Sequence, residues 1–333
     1  SVRESDWRLS QEEIGQKMQQ AGADGCWLLD LLETDAPPKV QDLSEVETLR
    51  TVLAQQYKRQ EGKVITRKPP IKGKEVVVSP HETEARWAKK REQEWQGYKL
   101  HATETVVENE EAERKEGEED DASFITDIQT SAANDGDSEM VDGIQARLQQ
   151  RGLRPKKHYV DRGYVSGANL AHSADKGTTL MGPALANNSP KPEGYRQSDF
   201  QLDFERQEAT CPQEKLALSW CERPQEDGYV GVNIYFRTRC DGCPERWQCT
   251  TSKDGRTLKV SPYHEHLEAR RAEQQTEVFR EEMKRRSAVE GTLSAVVRKH
   301  GARRARYRGQ AKVHLQHLFS GAAVNVKRLT RAL

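Results

Sequence analysis

The sequence predicts an α/β protein: a mixed sheet with flanking helices, a Cys-rich insertion and a helical C-terminal region. Three observations carry this. Tyr98, Leu100 and Ala102 alternate with Lys99 and His101, the period of a strand with one buried face. Lys157-His158-Tyr159-Val160-Asp161-Arg162-Gly163-Tyr164-Val165 reads as a β-branched and aromatic strand that runs into a glycine turn and carries Asp161 at its end. Val46, Leu49, Val52 and Leu53, and the stretch from Pro262 to about Lys299, follow helical spacing.

In chain order, residues 8–60 read as helical. Ser10-Gln11-Glu12-Glu13 has the form of a capping box, Trp27 to Leu32 supplies an apolar face, and Asp35-Ala36-Pro37-Pro38 interrupts it before a second helix from Leu43 to Tyr57. Residues 58–75 are basic and aperiodic and read as a linker, Val76-Val77-Val78 as extended, and Thr83 to Glu94 as a basic helix-like segment. Strands follow at Trp95 to Ala102 and Ser123 to Thr130, forming a hairpin whose loop is lengthened by an acidic segment, 104–121. A helix over 137–152 ends at Gly152, and the strand leading to Asp161 gives a β-β-α-β order. Thr178 to Pro183 supplies a further strand. Short strands and turns with cysteines fill 196–262, and 263–333 is helical with a basic tail. This divides the chain into a helical segment (1–65), a first part of the core (66–195), the Cys-rich insertion, and C-terminal helices that complete the core.

Composition narrows the functional class. Apolar residues are 34% and charged residues 32% of 333, so solvated helices or charged insertions must form part of the chain. The zero net charge hides an asymmetry. From Gly291 to Leu333 there is no acidic residue against ten Lys or Arg, a pattern that suits a polyanion partner. No apolar run is long enough to span a bilayer and the N-terminus has no secretory pattern, so a cytoplasmic protein without membrane contact is expected. Five of the six cysteines lie between 211 and 249, which in a reducing compartment points to metal before disulfide. Cys240-Asp241-Gly242-Cys243 has knuckle spacing and Cys249 follows. With Cys211 or Cys221 this makes four thiolates for a structural Zn²⁺, Cys211 being preferred because a proline follows it as one follows Cys243. Reduced structural thiols are the other reading. Cys26 sits in an apolar helical run and reads as core.

Asp161 by itself is equally a strand-end carboxylate bonding nearby amides, and Arg286 with Glu290, four apart on a helix, an ordinary salt bridge. Taken together, His158-Tyr159-Val160-Asp161-Arg162-Gly163-Tyr164 and Arg286-x-x-x-Glu290-Gly291-Thr292 resemble the second and third acidic motifs of DDE-type insertion-sequence transposases, most closely the IS1182-like group of the IS4 and IS5 assemblage. Ser79-Pro80-His81-Glu82-Thr83-Glu84-Ala85-Arg86, Trp95-x-Gly97-Tyr98-Lys99-x-His101, Ile125-Thr126-Asp127, Gly182-Pro183, Cys240-x-x-Cys243-Pro244, Arg303-Arg304-x-Arg306-Tyr307-Arg308-Gly309 and Leu315-Gln316-His317 match the same ordered pattern.

The resemblance implies an RNase H-like core in which three carboxylates hold two Mg²⁺ (or Mn²⁺) ions for DNA cleavage and strand transfer. It assigns Asp161 as the second acid and Glu290 as the third, with Arg286 contacting a phosphate or steadying a carboxylate. Double-stranded DNA, as transposon ends and target, is the implied partner, and pairing two ends implies a homo-oligomer. No strand that could carry the first Asp is found between Ser1 and Val78, Asp127 resembles the third strand of the motif, and Asp30 is helical. A truncated copy, inactive alone, is therefore expected. Met283 stands where relatives have Tyr, and Val297 where they have Lys, with Arg298 and Lys299 beside it. Arg298, Lys299, Arg303, Arg304, Arg306, Arg308 and Lys312, with Tyr307 among them, are expected to contact DNA phosphates. The alternative is a non-catalytic DNA-binding remnant.

Overall fold

The computed structural model describes residues 9–67, 73–90, 92–106, 123–187 and 189–332. The chain opens with α1 (Gln11–Asp35), α2 (Pro38–Gln41) and α3 (Ser44–Gln56), followed by β1 (Tyr57–Gln60), β2 (Lys63–Thr66), β3 (Arg86–Lys90), β4 (Gln93–Glu104) and β5 (Ile125–Ala132). Next come α4 (Val141–Gln150), β6 (Lys157–Tyr159), α5 (Gly167–Asp175) and β7 (Thr179–Met181). The cysteine region holds β8 (Gln201–Asp203), β9 (Glu208–Thr210), β10 (Ser219–Pro224), β11 (Val230–Tyr235), α6 (Arg246–Cys249) and β12 (Thr257–Val260). Four helices end the chain: α7 (His264–Glu273), α8 (Glu277–Lys284), α9 (Ser287–His300) and α10 (Gln310–Ala332). Among the described residues no helix is long and apolar enough to cross a membrane.

These residues group into two compact units. The first draws on described residues up to 105, from 123 to 135 and from 292 onward, and the second on Val106 and 136–291. Mixed α/β character is present as expected. The strands, however, hydrogen-bond as five separate sheets of two or three strands, with β6–β7 the parallel pair, so the described residues form no single continuous sheet.

In the first unit the capping box at α1 is formed: Ser10 Oγ accepts from the Glu13 amide at 3.3 Å and Glu13 accepts from the Ser10 amide at 2.7 Å. Cys26 is buried as expected, but Trp27, Leu28 and Leu31 of the same apolar run are exposed. The linker expected over 58–75 is corrected. Glu61 and Gly62 both have positive φ, forming the tight turn of a β1–β2 hairpin whose charged strands conceal it from pattern reading. The helix-like segment 83–94 is also corrected, since β3 pairs antiparallel with β4 and cross-strand pairing overrides the helix propensity of its Lys and Arg. Val76-Val77-Val78 forms no strand. The acidic loop lies outside the described residues beyond 106. α10 packs along β5, where Val296 and Val324 cover Ile125 and Ile128. Asn325 there bonds both the amide and the carbonyl of Ile125 at 2.8 Å.

In the second unit α4 ends as predicted, and Gly152 takes φ +72° just beyond it. β6, α5 and β7 form a β-α-β crossover over a core of Val141, Val160, Val165, Leu170, Leu180 and Ala184. The cysteine region has its own core of Phe200, Ala209, Val232, Ile234, Phe236, Leu258 and Val260. The single long helix expected from 262 to 299 is three helices. Thr276 caps α8 by accepting from the Phe279 amide at 3.2 Å, and a turn at Arg285–Arg286 separates α8 from α9.

Candidate active site

β6 is the mount. The Val160 amide extends its pairing by donating to Met181 O at 2.8 Å, while Val160 is anchored in the core. The chain then leaves the sheet, so Asp161 stands at its rim, 64% exposed, before a 3-10 turn at Arg162–Tyr164. Gly163 is not needed there for an unusual φ, as a glycine turn would suggest. A Cβ at this position would stand 2.8 Å from Asp137 Oδ2, so the glycine lets a second carboxylate approach closely, and a side chain here would push that carboxylate aside. No motif in the sequence marks Asp137. Tyr164 is pushed well above the ordinary phenol range, first by burial and then by the charges of Asp137 and Asp161.

Arg286 joins the two predicted acids. Its Nη2 donates to Glu290 Oε1 at 2.9 Å, and its Nη1 lies 3.4 Å from Asp161 Oδ1. Asp161 and Glu290, distant in sequence, thus share one guanidinium fork, which is itself only 26% exposed. Glu290 lies in the first turn of α9. An open cleft of about 450 Å³ adjoins the pair, lined by Asp161, Pro183, Phe279, Arg280, Met283 and Arg286 among others. Met283 lines this cleft.

α8 is pinned to β6 by Glu282, which accepts from Lys157 Nζ at 3.0 Å and from the Tyr159 hydroxyl. The Tyr159 and Lys157 bonds hold the Glu282 carboxyl below its ordinary range, and burial with the Glu282 bond pushes Tyr159 up to about 12. A depressed carboxyl contributes stability above its unfolded-state value and loses that contribution as pH falls through its folded value. Glu282→Gln is therefore expected to lower the melting temperature at neutral pH and to shrink the loss seen on acidification below the ordinary glutamate range. Equal wild-type and variant melting curves at both pH values would remove Glu282 from this role.

Mg²⁺ needs several hard oxygen ligands. The residues brought together at Arg286 supply two carboxylates, and among the described residues no group of three or more His, Cys, Asp or Glu stands close enough to hold a metal ion. Asp127, on β5, is buried in the first unit, and Asp30 pairs with Arg59 on exposed α1.

The remaining predicted contacts belong to the first unit. Arg298 and Lys299 are in the last turn of α9, and Arg303, Arg304, Arg306, Tyr307 and Arg308 form an exposed loop before Lys312 on α10. Gln316 fastens this loop, accepting from the Arg306 amide and donating to Arg304 O, both at 2.9 Å. Glu82 accepts from the Gly309 amide at 2.8 Å and Glu84 from the Gln310 amide, so the Ser79–Arg86 motif, to which the sequence alone gives no task, caps α10. Arg306, Tyr307, Lys312, Leu315 and Phe319 border a cleft of about 460 Å³.

In the cysteine region Cys211, Cys240, Cys243 and Cys249 line one small cavity, whereas Cys221 is exposed on β10. Burial raises the Cys249 thiol to about 11 against the lowering effect of Arg256, with the other three thiols adding to the rise.

No curated protein and no solved structure matches the chain. Residues 210–330, which carry the five clustered cysteines, Glu290 and the basic loop but not Asp161, match the family model described as a transposase DDE domain, and this similarity supports a DDE transposase.

Proposed function

We propose that the chain is an insertion-sequence transposase of the IS1182-like kind, with an RNase H-like core, in which Asp161 and Glu290 are two of the carboxylates of a metal-dependent DNA cleavage and strand-transfer centre. The observation that carries this reading is the meeting of both acids on Arg286, beside an open cleft that Asp161 and Arg286 line. Asp161 and Glu290 would supply two of the oxygen ligands to a divalent-ion pair, which, with a third carboxylate, would provide Lewis-acid activation for phosphodiester chemistry. The chain's own residues present one carboxylate at a sheet rim and one in the first turn of α9, keep them oriented through one guanidinium, and offer the Arg303–Lys312 cations to the DNA backbone. A third carboxylate has to complete the set, and two transposon ends have to be brought together by more than one copy.

One feature favours a second reading, a DNA-binding chain that occupies element ends without cutting them. The Arg286 guanidinium already pairs with both acids, offsetting one of their two charges, and lies between them. Incubating the purified chain with duplex carrying the element's ends and Mn²⁺ separates the two. Metal-dependent nicking that vanishes in Asp161→Asn and Glu290→Gln, with binding retained, supports the enzyme. Binding without nicking supports the second reading, and nicking that survives both substitutions overturns the assignment of these acids.

A further inference from the structure

We propose that Cys211, Cys240, Cys243 and Cys249 hold one structural Zn²⁺ as four thiolates, with the buried Arg256 guanidinium as counter-charge to the anionic centre. The proposal is independent of the transposase reading.

Three separate pieces of chain place the four cysteines around one cavity. Cys211 follows β9 in a turn where its carbonyl accepts from the Glu214 amide at 2.8 Å and Glu214 takes φ +55°. Cys240 and Cys243 bracket a turn closed by the Cys243 amide on Cys240 O at 3.3 Å, with Gly242 at φ +65°. Cys249 ends α6. All four line the same enclosed cavity of about 20 Å³. A void of that size admits one water-sized guest and no iron–sulfur cluster.

Arg256 provides the independent observation. It is only 7% exposed, lines the cavity, and has no ion-pair partner among the described residues. Its Nε has no hydrogen-bond partner, and Nη1 donates to Cys249 O at 3.1 Å. Its backbone amide donates to Cys240 Sγ at 3.3 Å, the kind of bond that orients a thiolate ligand. The guanidinium lies over the Phe200 ring at 5.6 Å, but among the described residues no carboxylate pairs with it, and a buried cation without a counter-anion is costly; neutral thiols do not supply one. A zinc tetrathiolate is a dianion and does.

The sulfurs ring the cavity without converging to ligand spacing. Forming Zn–S bonds of about 2.3 Å draws the cysteine side chains inward, into that space, and releases their thiol protons to solvent. Four soft thiolates in a tetrahedral set and a role confined to folding select zinc over hard cations. Exposed Cys221 lies outside the set.

The test is elemental analysis of the full chain purified without chelator. One zinc per chain is expected, released when a mercurial titrates the thiols, retained in Cys221→Ser and lost in Cys243→Ser and Cys249→Ser. Because those two variants can also lose zinc by misfolding, wild-type protein freed of metal is reconstituted with Co²⁺, for which thiolate-to-cobalt charge-transfer bands and tetrahedral d–d bands are expected. Absence of both zinc and the cobalt spectrum, zinc retained in Cys243→Ser, or an iron chromophore in its place would each overturn the proposal.

Discussion

Replacing Arg303, Arg304, Arg306 and Arg308 together by alanine is expected to weaken binding to duplex DNA on the order of 10³-fold at about 0.15 M salt, independently of sequence. Every phosphate that is no longer neutralised lowers the slope of log affinity against log salt by about 0.9, so four of them lower it by roughly 3.6, which gives that factor. The loop suits the experiment because all four side chains are exposed while its backbone is held by Gln316, Glu82 and Glu84. Alanine therefore removes charge without removing the bonds that shape the loop. Arg206, 77% exposed in the cysteine region, serves as the control whose substitution leaves the slope in place. Fluorescence anisotropy titrations of a labelled duplex at several salt concentrations measure both quantities. A quadruple variant with the wild-type slope would show that these arginines do not meet phosphates and would leave Arg298, Lys299 and Lys312 as the remaining cations to test.

Local signals in the sequence are legible where one segment contains all the information. The capping box at Ser10, the alternation in β4, the glycine stop after α4 and the four-residue spacing of Arg286 and Glu290 each depend on neighbours within a turn or two. The errors fall where distant pairing decides. Arg86 to Lys90 has helix-forming residues and is a strand because β4 lies alongside it. Lys58 to Thr66 looks like solvated linker and is a hairpin because Glu61 and Gly62 both turn to positive φ.

The candidate site divides in the same way. That Asp161 ends a strand and Glu290 sits on a helix can be read from the residues, and their assignment as a pair comes from family resemblance. The bond from Arg286 to Glu290 follows from spacing, whereas its reach to Asp161 is a tertiary contact that spacing cannot reveal. Asp137 escapes a sequence reading because its relation to Gly163 is a matter of van der Waals approach, and Glu82 and Glu84 escape it because their partners are backbone amides far along the chain. The four cysteines are visible as a set, whereas the buried charge of Arg256 beside them emerges only from burial.

The second large effect is expected at Phe236. Its ring is 1% exposed, stacks tilted against Phe200 with centroids 5.4 Å apart, and borders the cysteine cavity. The residue also carries the junction between β11 and the Cys240 turn, its amide donating to Arg256 O at 2.9 Å. Seven buried residues form this small core, so neighbours have little freedom to collapse into a void. Phe236→Ala is expected to cost about 3–5 kcal/mol, the range for removing a buried aromatic ring, and to lower the melting temperature by roughly 6–20 °C. Phe236→Leu keeps most of the volume and should cost about 1–1.5 kcal/mol. Denaturant unfolding of both variants provides the comparison. A loss below about 1 kcal/mol for alanine would mean that the cysteine region is not held by this core, and the ring would then be packing against a scaffold fixed by other means. A normal cost for alanine that grows when metal is withheld would instead show core and cysteine cluster stabilising one folding unit together, because a ligand bound only to the folded region adds to its stability by mass action.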